Sequence, residues 1–426
     1  MTSKLKRTLT ALLLAPQLLL AQQLTLDECY EKARQNFPLI KQKSLLVSTR
    51  DFTVANARSG YLPQLTVNGT ATYQSDVTKV PLEVPGFTIK PLAKDQYKVY
   101  AELNQSLYDG GTIKRQNAIS ETNAMIEDQK VEVELYKIRE RINQIYFGVL
   151  LLDEQLVQTD LVKKDLESSF QKVESSIRNG TAFKTNADIL QAEMLKTDQR
   201  VIELKSGRSS YIAMLGIFIG QDLSESATLQ RPTDVQGASD PTIGRPEMML
   251  YNYQSQLFTA QQQLNNTKVL PRFGFFVQGG YGRPGLNVLK NEFETYYIGG
   301  LRLSWNLSGL YNTRRDKEQM NLNIQGVDVQ RQSFLFNTKL TMRQQRGDIT
   351  KLNDLIKVDQ QIIELRGRIK TTAKAQLDNG VITANDYLRE LNAEDQARQN
   401  LSLHEMQLLM TEYNYIATTG ETHENK

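Results

Sequence analysis

Between Thr112 and Asn179 lie 68 residues without a proline, and residues 312–379 repeat that length. In the first stretch Leu135, Ile138, Ile142, Ile145, Val149, Leu152 and Leu156 recur at alternating steps of three and four. That is a heptad seam, the pattern of helices that pack along their length. The second stretch carries a looser seam. At about 1.5 Å per residue each predicted helix would run roughly 100 Å if unbroken, far longer than a globular domain needs.

The repeated length belongs to a repeated chain. "LNQSLYDGGTIKR" at 103–115 and "LSWNLSGLYNTRR" at 303–315 share Leu103 with Leu303, Leu107 with Leu307 and Arg115 with Arg315, always 200 residues apart. "RNG" at 178–180 matches "DNG" at 378–380, and Gly220 matches Gly420, at the same spacing. Upstream, Pro38 and Pro63 are 25 residues apart, as are Pro246 and Pro271, and the offset between the pairs is 208. The first copy therefore holds eight more residues between its Leu-Pro and its second strand. Proline suits a helix start and disrupts a helix interior, so each pair brackets a helix-like segment.

Residues 22–220 and 246–420 are two copies, joined by a linker at 221–245 rich in polar and turn residues. The first copy reads as a helix, strands at 65–75 and 97–107, a long helix at 112–179 and a return helix at 185–218. The second reads as a helix, strands at 273–281 and 295–307, a long helix at 312–379 and a return helix at 384–418. Residues 421–426 form a polar tail.

The strands alternate. In 65–73, Leu65, Val67, Gly69, Ala71 and Tyr73 share one face, and Thr66, Asn68, Thr70 and Thr72 the other. In 296–307, Tyr297, Gly299, Leu301, Leu303, Trp305 and Leu307 oppose Arg302, Ser304 and Asn306. Residues 97–107 and 273–281 show the same period less cleanly, with Gln105 out of place. One apolar face per strand separates oil from water. Tyrosine and tryptophan near strand ends suit a bilayer interface. A soluble sandwich alternates in the same way, but no further strands exist here to supply its second sheet.

The first residues and the charge agree with export. Lys4, Lys6 and Arg7 precede an apolar run from Ala11 to Leu20 that is too short to span a bilayer, so residues 1–21 read as a signal peptide. Without them, basic and acidic residues number 48 each, so the mature chain is neutral and nothing steers it toward nucleic acid. Cys29 is the single cysteine and reads as a small residue on a helix. Past the signal, no apolar run approaches membrane-helix length. A membrane role would rest on β-strands.

Four transmembrane strands cannot stand alone, because open edges in lipid leave backbone groups unpaired at several kcal/mol each. Single-chain barrels begin at about eight strands. The chain must pool strands with copies of itself: two copies give eight strands and a filled interior, and three give twelve and room for a channel. The polar strand face fits a wet lumen, and the helices must continue as a tube.

"LTLDECYEKARQNFPLIKQ", "ANARSGYLPQLTVNGTATY" and "LNQSLYDGGTIKRQNA", after a signal peptide, resemble the TolC family of outer membrane factors. The resemblance spans the mature chain in both copies. Its most specific parts are the Leu-Pro lead into each first strand, at Pro63 and Pro271, and the strand-to-helix junctions, at Asp109, Gly110 and Gly111 and at Gly309. It implies an α+β membrane protein, a homotrimer with a twelve-stranded β-barrel in outer membrane lipid, four strands per chain, above a long α-barrel in the periplasm. It implies an equatorial belt built partly from the linker and C-terminus. It also implies an efflux or secretion duct docked to a periplasmic adaptor, or membrane fusion protein, and an inner-membrane pump.

The resemblance implies site residues too. Asn179 and Gly180, and Asn379 and Gly380, mark the periplasmic tip turns where an adaptor docks; Asn-Gly tolerates the positive φ of a tight turn. Asp188, Gln191, Asp386 and Arg389 fall at the pore entrance. Asp386 sits six residues after Gly380, at the place of a family aspartate that lines the closed end. Asp188 is only an approximate match, and Arg389 departs from a second acidic ring. Tyr and Arg links close the entrance of a well-studied relative; Leu377 and Ile382 stand there instead. Three copies of Asp386 in a narrow aperture would favour cations. Without a pore, Asp386 is a solvated acidic start to a helix, which also suits the helix dipole.

Other motifs carry less. "GYGRPG" at 280–285 has the spacing of a dinucleotide-binding loop, but Pro284 and a hairpin follow it where a helix should open. "NGT" at 68 and 179 lies in a strand and at a helix tip. One cysteine with His404 and His423 cannot build a zinc site of the usual kind. No G-x-S-x-G turn or other constellation points to an enzyme, and no cofactor is expected. The alternative function is an exported coiled-coil structural or adaptor protein without a pore, which would not need four one-faced strands.

Overall fold

The computed structural model describes residues 23–78, 92–233 and 242–420. The expected signal peptide, the tail at 421–426 and the middle of the linker lie outside the described residues. The elements run α1 (Leu26–Asn36), α2 (Ile40–Arg58), β1 (Gln64–Tyr73), β2 (Asp95–Tyr108), α3 (Thr112–Arg178), α4 (Lys184–Ile219), α5 (Pro246–Thr267), β3 (Arg272–Arg283), β4 (Glu294–Ser304), α6 (Leu310–Asp378) and α7 (Ala384–Thr419). Helix, strand, strand, long helix and return helix thus occur twice in the same order.

The chain divides into two compact units. Among the described residues, one comprises Pro38–Tyr136 and Ile243–Leu340, and the other residues 23–37, Lys137–Thr242 and 341–420. The breaks fall inside α3 and α6, so each long helix contributes to both.

The first unit holds one antiparallel sheet in the order β1-β2-β3-β4. Its register sets Val67 opposite Ala101, Ala101 opposite Gly279 and Gly279 opposite Tyr297. The helices beside it follow the same order. On α2, Lys43 reaches Asp128 at 3.3 Å and also Glu132 on α3. On α3, the Gln129 amide donates to the Pro246 carbonyl at the start of α5 (2.9 Å). On α5, Gln262 donates to Asn321 of α6 (3.2 Å). Proline in the first turn of α5 removes an N–H that would have no partner there. Arg245, just before it, bonds Glu247 and lies over the rings of Tyr136 (5.7 Å) and Phe334 (5.2 Å), so α5 is pinned to α3 and α6.

In the second unit the predicted seam of α3 is buried from Ile138 to Val149. Leu24 forms a parallel bridge with Leu229 of the linker, and its N–H donates to the Thr228 carbonyl (3.2 Å). The Tyr146 hydroxyl lies 2.7 Å from the Leu24 carbonyl and 2.6 Å from that of Gln230. The linker is thus tied to α3 and to the residues leading into α1. Thr25 and Glu28 cap the start of α1 reciprocally. Cys29 is fully buried on α1; burial pushes its thiol up to about 12, so it stays protonated and inert.

The sequence reading is corrected in three places. The helix bracketed by Pro38 and Pro63 is α2, and the first copy carries a further helix, α1, ahead of Pro38, where proline separates the two. The strand expected at 65–75 stops at Tyr73. The strand expected at 295–307 stops at Ser304, where the Trp305 indole donates to the Val269 carbonyl (3.0 Å) and Leu307–Gly309 coil into a 3-10 turn. "GYGRPG" closes β3 and leads through a loop to β4, with no helix after it.

Candidate functional site

Two places attract attention, the faces of the sheet and the turns that join each long helix to its return helix. Apart from a register shift between Ser106 and Tyr108, residues of equal parity pair across all four strands, so the alternation of each strand becomes one face of the sheet. Leu65, Val67 and Ala71 on β1 share it with Tyr97, Val99 and Leu103 on β2. Phe275, Val277, Leu301 and Leu303 continue it on β3 and β4. This face is open: Val67 is 72%, Leu301 78% and Tyr297 83% exposed. Gln105, the polar residue out of place, turns its amide back to the carbonyls of Tyr61 (2.9 Å) and Ser106 (3.0 Å).

Aromatic rings mark both ends of the apolar face. Tyr97 and Tyr281 stack on Phe293 at 6.3 and 5.4 Å, and Tyr108 packs on Phe273 at 6.2 Å. The opposite face is polar. There Arg302 bonds Glu102 and Asn104 (3.2 Å each) and lies 4.5 Å from the Phe276 ring. The strands have 10, 14, 12 and 11 residues, enough to cross a hydrocarbon layer of about 30 Å when tilted. Among the described residues no helix is long and apolar enough to cross a membrane.

The junctions into the long helices differ. At the first, Asp109 accepts from the N–H groups of Gly111 (2.8 Å) and Ile113 (2.7 Å), and Gly110 and Gly111 take φ of 71° and 80°. At the second, Gly309 ends the 3-10 turn and α6 follows directly. Pro63 immediately precedes β1 and Pro271 precedes β3, each following a leucine.

The tip turns are matched more closely. Gly180 and Gly380 have φ of 74° and 73°. In both, the glycine N–H bonds three residues back (3.0 Å), and the next N–H bonds five back, from Thr181 to Ser176 (2.9 Å) and from Val381 to Gln376 (2.8 Å). This Schellman arrangement satisfies carbonyls that a helix end leaves open. Asn179 and Asn379 stand at the preceding position, and the Asn379 amide also caps Ala375 (2.7 Å).

An apolar core joins the four helices at the tip: Leu166, Leu190, Leu377, Tyr387 and Leu391 are buried together, and Ile382 packs against them. Leu377 and Ile382 therefore serve this core. Asp386 caps α7: Thr383 and Asp386 bond each other reciprocally, Thr383 N–H to carboxylate (3.1 Å) and Asp386 N–H to hydroxyl (3.2 Å). The Thr383 hydroxyl, then its N–H, hold the Asp386 carboxyl below the usual carboxylate range. Arg389 is exposed and bonds Glu390 (3.0 Å). The two return helices begin 200 residues apart, so the first-copy counterpart of Asp386 is Asn186. Asp188 corresponds instead to buried Leu388 and, with Gln191, lies exposed on α4.

One feature of the tip was not anticipated. Asp165 on α3 bonds Lys370 (3.0 Å) and Lys374 (3.1 Å) on α6, and Lys370 also reaches buried Glu394 on α7 (3.4 Å), which bonds Arg398. Burial would raise the Asp165 carboxyl, but the two lysines outweigh it and hold it below its ordinary value. Two lysines four residues apart on α6 were the available signal.

Comparison with known proteins follows this geometry. The model of a family described as outer membrane efflux protein matches residues 29–211. The alkaline protease secretion protein AprF of Pseudomonas aeruginosa is 21% identical over 217 residues, which are 48% of this chain and 45% of that protein. The match therefore spans about half the length of this curated relative. The outer membrane protein VceC of Vibrio cholerae superposes with a TM-score of 0.66 at 12% identity, over 94% of this chain and 97% of its own. The CmeC outer membrane channel of Campylobacter jejuni superposes with a TM-score of 0.64 at 14% identity, over 93% and 85%. At such identities the likeness is one of fold.

Proposed function

We propose that this chain, a member of the outer membrane efflux protein family, is the outer membrane channel of a tripartite efflux or secretion system. The observation that carries the proposal is the exposed apolar face registered across four strands, with β1 and β4 left as open edges. Such a sheet is stable in lipid only if its edges are paired. Three copies would close twelve strands around the polar face that carries Arg302 and Glu102 and leave a water-filled passage.

The protein would then act as a passive conduit from periplasm to exterior. The turns at Asn179, Gly180, Asn379 and Gly380 would meet a periplasmic adaptor, and an inner-membrane pump would supply energy and choose the cargo. Asp386 and Arg389 would line the entrance, with Asp188 and Gln191 at the first-copy return helix. The secretion role in the name of AprF and the channel named for CmeC leave protein and small-molecule cargo both compatible with this reading.

The test is the mass of the detergent-extracted, unheated species from outer membranes of cells expressing the chain with its own leader. A trimer is expected. A soluble periplasmic monomer would overturn the channel and favour a coiled-coil structural protein.

A further inference from the structure

The polar face of the sheet carries large rings where a water-filled passage calls for short side chains. Phe276 of β3 and Tyr296 of β4 stand on that face, by their parity with Arg302 and Glu102. Each is only partly exposed, whereas their chain neighbours on the apolar face, Phe275 and Tyr297, are 39% and 83% exposed. The two rings on the polar side are therefore covered by the sheet itself.

Two glycines make that cover possible. Gly280 pairs with Tyr296, and Gly300 with Phe276, on the same β3–β4 ladder. A Cβ placed on Gly280 would stand 2.7 Å from Tyr296 Cζ and 2.8 Å from its hydroxyl oxygen. One placed on Gly300 would stand 3.3 and 3.5 Å from Phe276 Cε1 and Cζ. In both pairs the far end of the ring occupies the place of the missing side chain. Strands lie about 4.8 Å apart, so a ring whose far end reaches the next strand lies along the wall. The rings lean in opposite directions, Tyr296 from β4 onto β3 and Phe276 from β3 onto β4. Gly279 and Gly299, one residue away on the apolar face, seat no ring. A Cβ on Gly279 meets nothing within 4 Å, and on Gly299 only ordinary contacts at 3.6 and 3.7 Å. Glycine weakens a strand interior, and an aromatic ring laid over it restores the lost contact.

Phe276 in turn supports a charge. The Arg302 guanidinium lies 4.5 Å from its ring centroid and reaches past β3 to Glu102 and Asn104 on β2 (3.2 Å each). Gly300, Phe276 and Arg302 thus form one stack along the wall, with the guanidinium held sideways by its partners.

We propose that Gly280 and Gly300 set the bore of the exit: they seat the Tyr296 and Phe276 rings flat on the barrel wall, and a side chain in their place lifts those rings into the passage. The inference rests on the channel reading, in which the polar face lines the lumen, and adds to it the positions that decide what size of cargo passes. An exit with its rings folded aside admits bulky cargo and leaves selection to the pump. Gly300 is the cleaner position to test. Apart from its own chain neighbours, only the Phe276 ring stands within 4 Å of the added carbon there. At Gly280 the Tyr100 Cβ also stands 2.7 Å away, so β2 itself would have to shift.

The test puts one reactive thiol beyond the rings. Ser304 is exposed on the polar face at the helix end of β4, past Phe276 for a reagent entering from the β3–β4 loop. Cys29 is buried and does not compete with Ser304→Cys. Intact cells are labelled from outside with maleimides carrying polyethylene glycol chains of increasing length. Gly300→Val is expected to slow the longer reagents by about three-fold or more relative to the shortest, since narrowing a pore acts on size. Gly300→Ala should act in the same direction but less, and it carries the comparison if the valine variant yields no heat-sensitive oligomer. Phe276→Ala added to Gly300→Val should restore the parent rates, and Gly299→Val, on the apolar face, should leave them unchanged. Unchanged rates in the assembled Gly300 variant, or slowing that Phe276→Ala does not relieve, would overturn this inference and leave the channel reading standing. Labelling of Ser304→Cys by no reagent in the parent would overturn both.

Discussion

Asp165 on α3 and Lys370 on α6 meet at 3.0 Å across 205 residues of sequence, and Lys374 completes the fork at 3.1 Å. The folded carboxyl of Asp165 titrates below its ordinary value. Its contribution is therefore fully present above that ordinary value, near pH 4, and is lost only as pH falls through the lower folded value. Hydrogen exchange at the tips of α3 and α6, corrected for intrinsic rates, is expected to stay protected down to about pH 4 and to weaken below it. Asp165→Asn should cost about 1–2 kcal/mol at neutral pH and remove the acid step. An unaltered acid step in that variant would assign it to another group.

Asp386 caps α7, and substitutions can separate that role from its proposed place at the entrance. Asparagine keeps a capping side chain and drops the charge, whereas alanine loses both. Asp386→Ala is expected to loosen the start of α7, read as faster exchange near Thr383, with Asp386→Asn close to the parent. If the three carboxylates line the entrance, both variants reduce cation preference in bilayer conductance under a salt gradient. An unchanged reversal potential in Asp386→Asn would leave Asp386 as a helix cap alone.

Neighbouring residues on β1 should respond in opposite ways. Val67→Lys places a charge in the middle of the apolar face and is expected to cost about 2–4 kcal/mol in lipid. Asn68→Lys faces the polar side and should be tolerated. The measurement is the yield of heat-sensitive oligomer in the outer membrane fraction. Equal yields would mean that lipid does not contact the apolar face.

The double glycine at the first strand-to-helix junction makes a graded test. Both positions have positive φ, so alanine at either is strained by about 1 kcal/mol. At Gly110 the new carbon would also stand 3.1 Å from Leu270 Cβ, whereas at Gly111 it meets nothing within 4 Å. Gly110→Ala should lower the dissociation temperature of the oligomer more than Gly111→Ala. The reverse order would place the constraint elsewhere.

Most of the fold was legible because its signals are periodic. Alternation named the apolar face from Leu65 to Leu303, and the Asn-Gly pairs at 179–180 and 379–380 announced the turns after the long helices. Strand ends were less legible: the stop at Ser304 depends on the Trp305 indole finding the Val269 carbonyl, a contact between residues 36 apart. The counterpart of Asp386 was misplaced because composition pointed to the nearest acid, Asp188, while the helix start points to Asn186. The Asp165 fork was illegible for a different reason. A chain that is 23% charged offers each aspartate many possible partners, and only packing chooses among them.

On the trimeric reading, the open strands β1 and β4 bear on the life of the chain before it assembles. A monomer presents two rows of unpaired backbone groups beside an uncovered apolar face, and such edges pair with whatever strand arrives first. Time spent as a monomer is therefore time exposed to mispairing, and the hazard rises with concentration together with productive assembly. Cells making this protein in excess should form inclusion bodies unless holding chaperones keep pace.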